Sequence, residues 1–83
     1  MADMTLEQSQ LREYAEAVLR QNGIKTSRAW YPVPTVLAVT VDPSAYVKAR
    51  NSLPIIQLRA DKYHGFKVVL DEPGVDFEAL ASN

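Results

Sequence analysis

The chain has no cysteine, a single histidine (His64) and only three glycines, at positions 23, 65 and 74. Without thiols it holds neither a disulfide framework nor a thiolate metal site. One imidazole and scattered carboxylates are a poor metal-ligand set, and Asp71 to Asp76 (DEPGVD) lacks the alternating oxygen ligands of a calcium loop. So few glycines exclude a glycine-rich phosphate cradle. No segment reaches the ~20 apolar residues of a membrane span. The polar, acidic start MADMTLEQ is unlike the basic-then-apolar layout of a secretory signal. No cofactor, no membrane and a soluble cytoplasmic setting are the expectations.

What is present is the composition of one small globular domain over residues 1–83, with 47% hydrophobic residues and a net charge of −1. A domain of this length buries only ~60–65% of its unfolded surface. Self-association through a helix or an open strand edge would bury more, so a homodimer is as compatible with the size as a monomer. The small net charge hides a division. Residues 23–70 carry seven basic side chains against Asp42 and Asp61, whereas residues 1–22 are net −2 and residues 71–83 net −4. The middle of the chain is basic between two acidic ends.

The elements follow from spacing. Thr5 and Gln8 form a capping-box pattern, and Leu11, Tyr14, Ala15, Val18 and Leu19 recur as one apolar helical stripe. Gly23 stops that helix in a left-handed conformation. Ile24–Tyr31, with a period near two, and Val36–Val41 (VLAVTV), β-branched and mostly apolar, are expected to be strands of a hairpin whose corner is Pro32-Val33-Pro34. Asp42 and Pro43 start a short helix ending near Asn51, with Pro54 as its exit. Ile55–Ala60 and Phe66–Leu70 are expected to form a second hairpin around Asp61–Gly65. Asp71–Gly74 is a turn, and Asp76 starts a short last helix that buries Phe77 and Leu80. The order α-β-β-α-β-β describes an α+β fold, a small two-layer sandwich with a mainly antiparallel sheet covered by helices on one face only.

Catalytic patterns are missing. None of the serines lies in a strained elbow such as G-x-S-x-G. Asp61 and His64, three residues apart, are explained as the opening of a turn and an exposed loop side chain rather than an acid–base pair. A domain this small also has little room for a pocket of ~300 Å³ or more. The expectation is a non-enzymatic protein-binding module, an adaptor or a stoichiometric inhibitor.

Its contact residues are expected to be Trp30, Tyr31, Tyr63 and Arg59, since large aromatics and arginine concentrate interface energy. Trp30 and Tyr31 point to opposite faces of a strand. The plainer interpretation of Arg28–Thr35 (RAWYPVPT) is a corner, with Trp30 in the core beside Ile24 and Tyr31 at the rim against a proline ring. One alternative is a nucleic-acid binder using Arg28, Arg59, Lys62 and Lys67 on an uncovered sheet face, with aromatic borders for stacking. Against it stands the slightly acidic total charge. A further alternative is a structural subunit of a larger assembly.

Overall fold

The computed structural model describes residues 4–63 and 65–82. His64, considered above as half of an acid–base pair, lies outside the described residues. The elements are α1 (Leu6–Gln21), β1 (Thr26–Val33), β2 (Val36–Val41), a single 3₁₀ turn (Pro43–Ala45), α2 (Tyr46–Ala60), β3 (Lys67–Leu70) and α3 (Phe77–Ala81). The fold is a small α+β domain with a three-stranded sheet in the order β1-β2-β3.

The local signals at the start act as expected. The Thr5 hydroxyl accepts from the Gln8 N–H, and the Gln8 side chain accepts from the Thr5 N–H, so both orphan donors are satisfied. Gly23 adopts φ +75°, and the Ile24 N–H returns to the Leu19 carbonyl. That bond closes the helix end and delivers Ile24 to the core, where it is 3% exposed. β1 and β2 form the expected antiparallel hairpin, turning at Pro34–Thr35. Pro32 falls inside β1, where the register shifts between Trp30 and Val33, so a residue without an N–H breaks no regular ladder bond.

The second hairpin does not form. Ile55–Ala60 is the C-terminal half of α2, which runs unbroken through Pro54. The reason is the burial pattern. Ala49, Ser52, Ile56 and Ala60 recur at spacings of three and four and are the buried residues of the helix. As a strand the same segment would bury Ile56, Leu58 and Ala60 together, yet Leu58 is 68% exposed. β3 therefore has no hairpin partner. It lies parallel to β2, with Val36 opposite Lys67 and Val39 opposite Leu70, because a helical crossover returns the chain in the same direction.

The helices α1 and α2 cover one face of the sheet, where Ala29, Val39 and Leu70 form one cross-strand row in the core with Leu11, Leu19 and Ile56. The opposite face was expected to be bare, and here too the structure differs. Val36 and Ala38 are fully buried there, and α3 packs against β1 and β2. β2 reads VLAVTV, apolar at successive positions, which is the pattern of a strand covered on both faces.

Candidate functional site

The residues singled out from sequence are placed on separate surfaces. A register shift between Thr26 and Arg28 adds a residue to β1 and inverts its alternation. Ile24, Ala29 and Tyr31 consequently face the helices, and Trp30 faces the other way. Placing Trp30 in the core with Ile24 is thus corrected. Trp30 instead meets Phe77 of α3 edge-on, with ring centroids 5.9 Å apart. Arg28 stacks over it, 4.1 Å from the ring centre. The indole N–H is buried and has no hydrogen-bond partner among the described residues.

Tyr31 is not a rim residue. Its ring packs with Phe66 and its hydroxyl donates to the Gln8 carbonyl at 2.8 Å. Gln8 Nε2 in turn donates to the Pro34 carbonyl at 2.9 Å, so the RAWYPVPT corner seats the start of α1. Burial pushes the Tyr31 phenol up to about 12, with Arg12 pulling it down and Tyr63 adding to the rise. Tyr63 belongs to the same aromatic group, edge-on to Phe66, with its hydroxyl 3.3 Å from Gln10 Oε1.

Arg59 and Lys62 lie elsewhere, at and just past the C-terminal end of α2, where they border one hollow. Lys67 begins β3 on the face opposite the helices, since Val68 and Leu70 take the inward positions. The four basic side chains Arg28, Arg59, Lys62 and Lys67 are accordingly divided between the two sides of the sheet.

The surface that draws residues together is one that sequence reasoning missed, the outer face of α2. Val47, Ile55 and Leu58 are 68%, 51% and 68% exposed, and all three fall on this helix. At about 100° per residue they align with Pro54 as one stripe, and Asn51 is the polar residue within it. α2 contains Lys48, Arg50 and Arg59 and no acidic residue. Beside the stripe, Tyr14, Ile55, Leu58, Arg59 and Lys62 border a shallow hollow of about 170 Å³. The Arg59 guanidinium lies over the Tyr14 ring at 4.4 Å, which holds a long flexible side chain in place before anything binds. The signal was available: 47, 51, 55 and 58 are spaced four, four and three apart. It becomes visible only once Pro54 is allowed inside the helix.

A second depression, of about 510 Å³ and so larger than expected for a chain of this length, follows the free side of β3 between Leu53 of α2 and Val75 and Leu80. The start of the β3 backbone edge is already occupied. Gln57 Nε2 donates to the Phe66 carbonyl at 3.0 Å and Gln57 Oε1 accepts from the Val68 N–H at 3.0 Å. One side-chain amide thus takes the place of a residue in a further parallel strand. Arg50 and Glu72 pair across the same border.

Among the described residues no group of three or more His, Cys, Asp or Glu side chains is placed to hold a metal ion, and no helix is long and apolar enough to cross a membrane. In comparisons with known proteins, no protein family, no curated protein sequence and no solved structure matches this chain.

Proposed function

We propose that this protein is a small non-enzymatic protein-binding module, an adaptor or stoichiometric inhibitor, that takes its partner on the outer face of α2. The observation that carries this reading is the line of Val47, Ile55 and Leu58, three large aliphatic side chains left in water on one side of one helix. Single exposed aliphatics are ordinary, whereas a row framed by charge is the composition of an interface. Burying a side chain of this size is worth about 1.5–3 kcal/mol. Arg59, stacked on Tyr14, is the member of the expected contact set that lies on this face.

Affinity capture from the native host tests the reading, using the wild-type chain and Leu58→Glu as baits, each with and without nuclease. Leu58 is mostly in solvent, so Leu58→Glu is expected to keep the wild-type melting temperature within a degree or two. It is also expected to release the captured proteins, while nuclease leaves them bound. If every captured protein disappears with nuclease, the nucleic-acid alternative replaces this one.

A further inference from the structure

The charge around the α2 stripe is not symmetrical, and the asymmetry specifies a partner. At about 100° per residue, Lys48 and Arg59 fall on one side of the Val47–Leu58 line and Arg50 on the other. Just past the helix, Lys62 borders the hollow on the Arg59 side and Asp61 bonds Gln57 on the Arg50 side. The second side is neutralised within the chain. Arg50 pairs with Glu72, and Asp61 Oδ1 accepts from Gln57 Nε2 at 2.8 Å. The first side is not. Among the described residues neither Lys48, Arg59 nor Lys62 makes a salt bridge.

Their neighbours do not supply the missing charge. Arg59 meets α1 at Tyr14, and the α1 row through that residue is Glu7, Gln10, Tyr14, Ala17 and Gln21. Its one carboxylate, Glu7, stands about 10 Å of helix rise from Tyr14 and makes no salt bridge among the described residues. Lys48 reaches the C-terminal end of α1, where its ammonium lies 3.5 Å from the position a Cβ on Gly23 would take. The partial negative charge of a helix end compensates it in part. Arg59 and Lys62 have no such compensation.

From this we infer that the outer face of α2 docks an amphipathic helix of another protein, with aliphatic residues over the Val47–Leu58 line and acidic residues on the side that meets Arg59 and Lys62. The inference rests on the reading of that face as the docking surface and adds the chemistry of its occupant. The stripe spans twelve residues, about 16 Å of helix rise, so three turns of a partner helix cover it. Aliphatic side chains in a row at helical spacing fit the ridges of a second helix. The acids belong on one flank only, because the other flank already presents Glu72 and Asp61.

Other occupants fit less well. A second copy packed antiparallel on α2 would bring the same flank together in reversed order and set Arg59 and Lys62 beside the Lys48 end of the other copy, again without an acid. A nucleic acid would press phosphates onto three aliphatic side chains. A lipid surface is usually met with aromatic side chains, and here both phenylalanines and the tryptophan are packed elsewhere.

Two synthetic amphipathic helices of about sixteen residues, alike except for glutamate or lysine on the flank facing Arg59 and Lys62, test the inference by calorimetric titration at low salt. The glutamate peptide is expected to bind about tenfold tighter or more, the sum of two or three partly screened pairs. The difference should narrow as salt rises. In R59E/K62E, and separately in K62E alone, the preference is expected to shrink or invert, with the fold checked by circular dichroism. Equal binding of both peptides, abolished by Leu58→Glu, overturns the charge assignment and leaves the docking face standing. Binding of neither peptide overturns the inference, as does stronger binding to phosphatidylserine vesicles or to duplex DNA than to the glutamate peptide.

Discussion

Tyr31 shows how far a single side chain is decided by what surrounds it. By alternation alone it was a candidate contact at a rigid corner. In the fold its ring is half-buried against Phe66 and its hydroxyl is tied to the Gln8 carbonyl. Tyr31→Ala is therefore expected to cost about 2 kcal/mol, below the range for fully buried aromatics, measured by urea denaturation. Tyr31→Phe removes only the hydrogen bond, about 1 kcal/mol. The phenol also carries a pH dependence. Its folded-state value of about 12 lies above the ordinary value of 10, so folding favours the protonated form. That contribution is complete below pH 10 and is lost as pH rises through about 12. The stability difference between wild type and Tyr31→Phe should consequently shrink over that interval. A difference that stays constant through it would show that the hydroxyl is not desolvated. At the helix start, hydrogen bonds from the Ser44 hydroxyl and then its N–H hold the Asp42 carboxyl below its usual range, as a capping residue requires.

At the scale of elements, the hairpin and α1 were legible because their signals are local: a capping box, a left-handed glycine and a proline-bounded turn. α2 was not. Ile55–Ala60 (IIQLRA) is rich in residues that suit either a strand or a helix, and Pro54 in front of it reads as a stop. Pro54 has no N–H to offer the Arg50 carbonyl, a local cost offset by Ile56 and Ala60, which are wholly buried. Pro54→Ala is expected to raise the melting temperature, the gain being up to about 3 kcal/mol if no kink is needed for packing. A fall would mean that Pro54 helps fit α2 to the sheet.

The missing fourth strand leaves β3 at an edge, and an unguarded edge pairs with other chains. Gln57 guards it by bonding Phe66 and Val68. Gln57→Ala is expected to lower stability by about 1–3 kcal/mol through the unpaired backbone groups. It should also produce concentration-dependent dimers or larger species in light scattering. A strictly monomeric variant of unchanged stability would show that the amide is incidental.

For the whole molecule, the sheet is covered on both sides, by α1 and α2 on one and by α3 on the other, so the exposed apolar stripe lies on a helix. Val36 and Ala38, on the same side of β2 as Thr40, are fully buried, and the apolar run of VLAVTV was the signal that this strand is covered on both faces. The parallel return of β3 was illegible. Strand direction follows from whether the preceding segment is a turn or a helix, and that segment was misassigned. The α3 cover is small and can be tested through the single tryptophan. Phe77→Ala removes the ring that meets Trp30, so the emission should shift to longer wavelength with a modest loss of stability. Unchanged emission would place Trp30 in a pocket that does not depend on α3.

The docking face and the edge guard both require that α2 continue past Pro54 to Ala60, turning Leu58 outward and Gln57 toward β3. Backbone Cα chemical shifts of Ile55–Ala60 in the free protein test this directly. Helical shifts throughout, with slow amide exchange at Ile56 and Ala60, are the expected result. Strand-type shifts, with cross-strand contacts to Phe66–Leu70, would restore the second hairpin and remove the surface on which the proposed function stands.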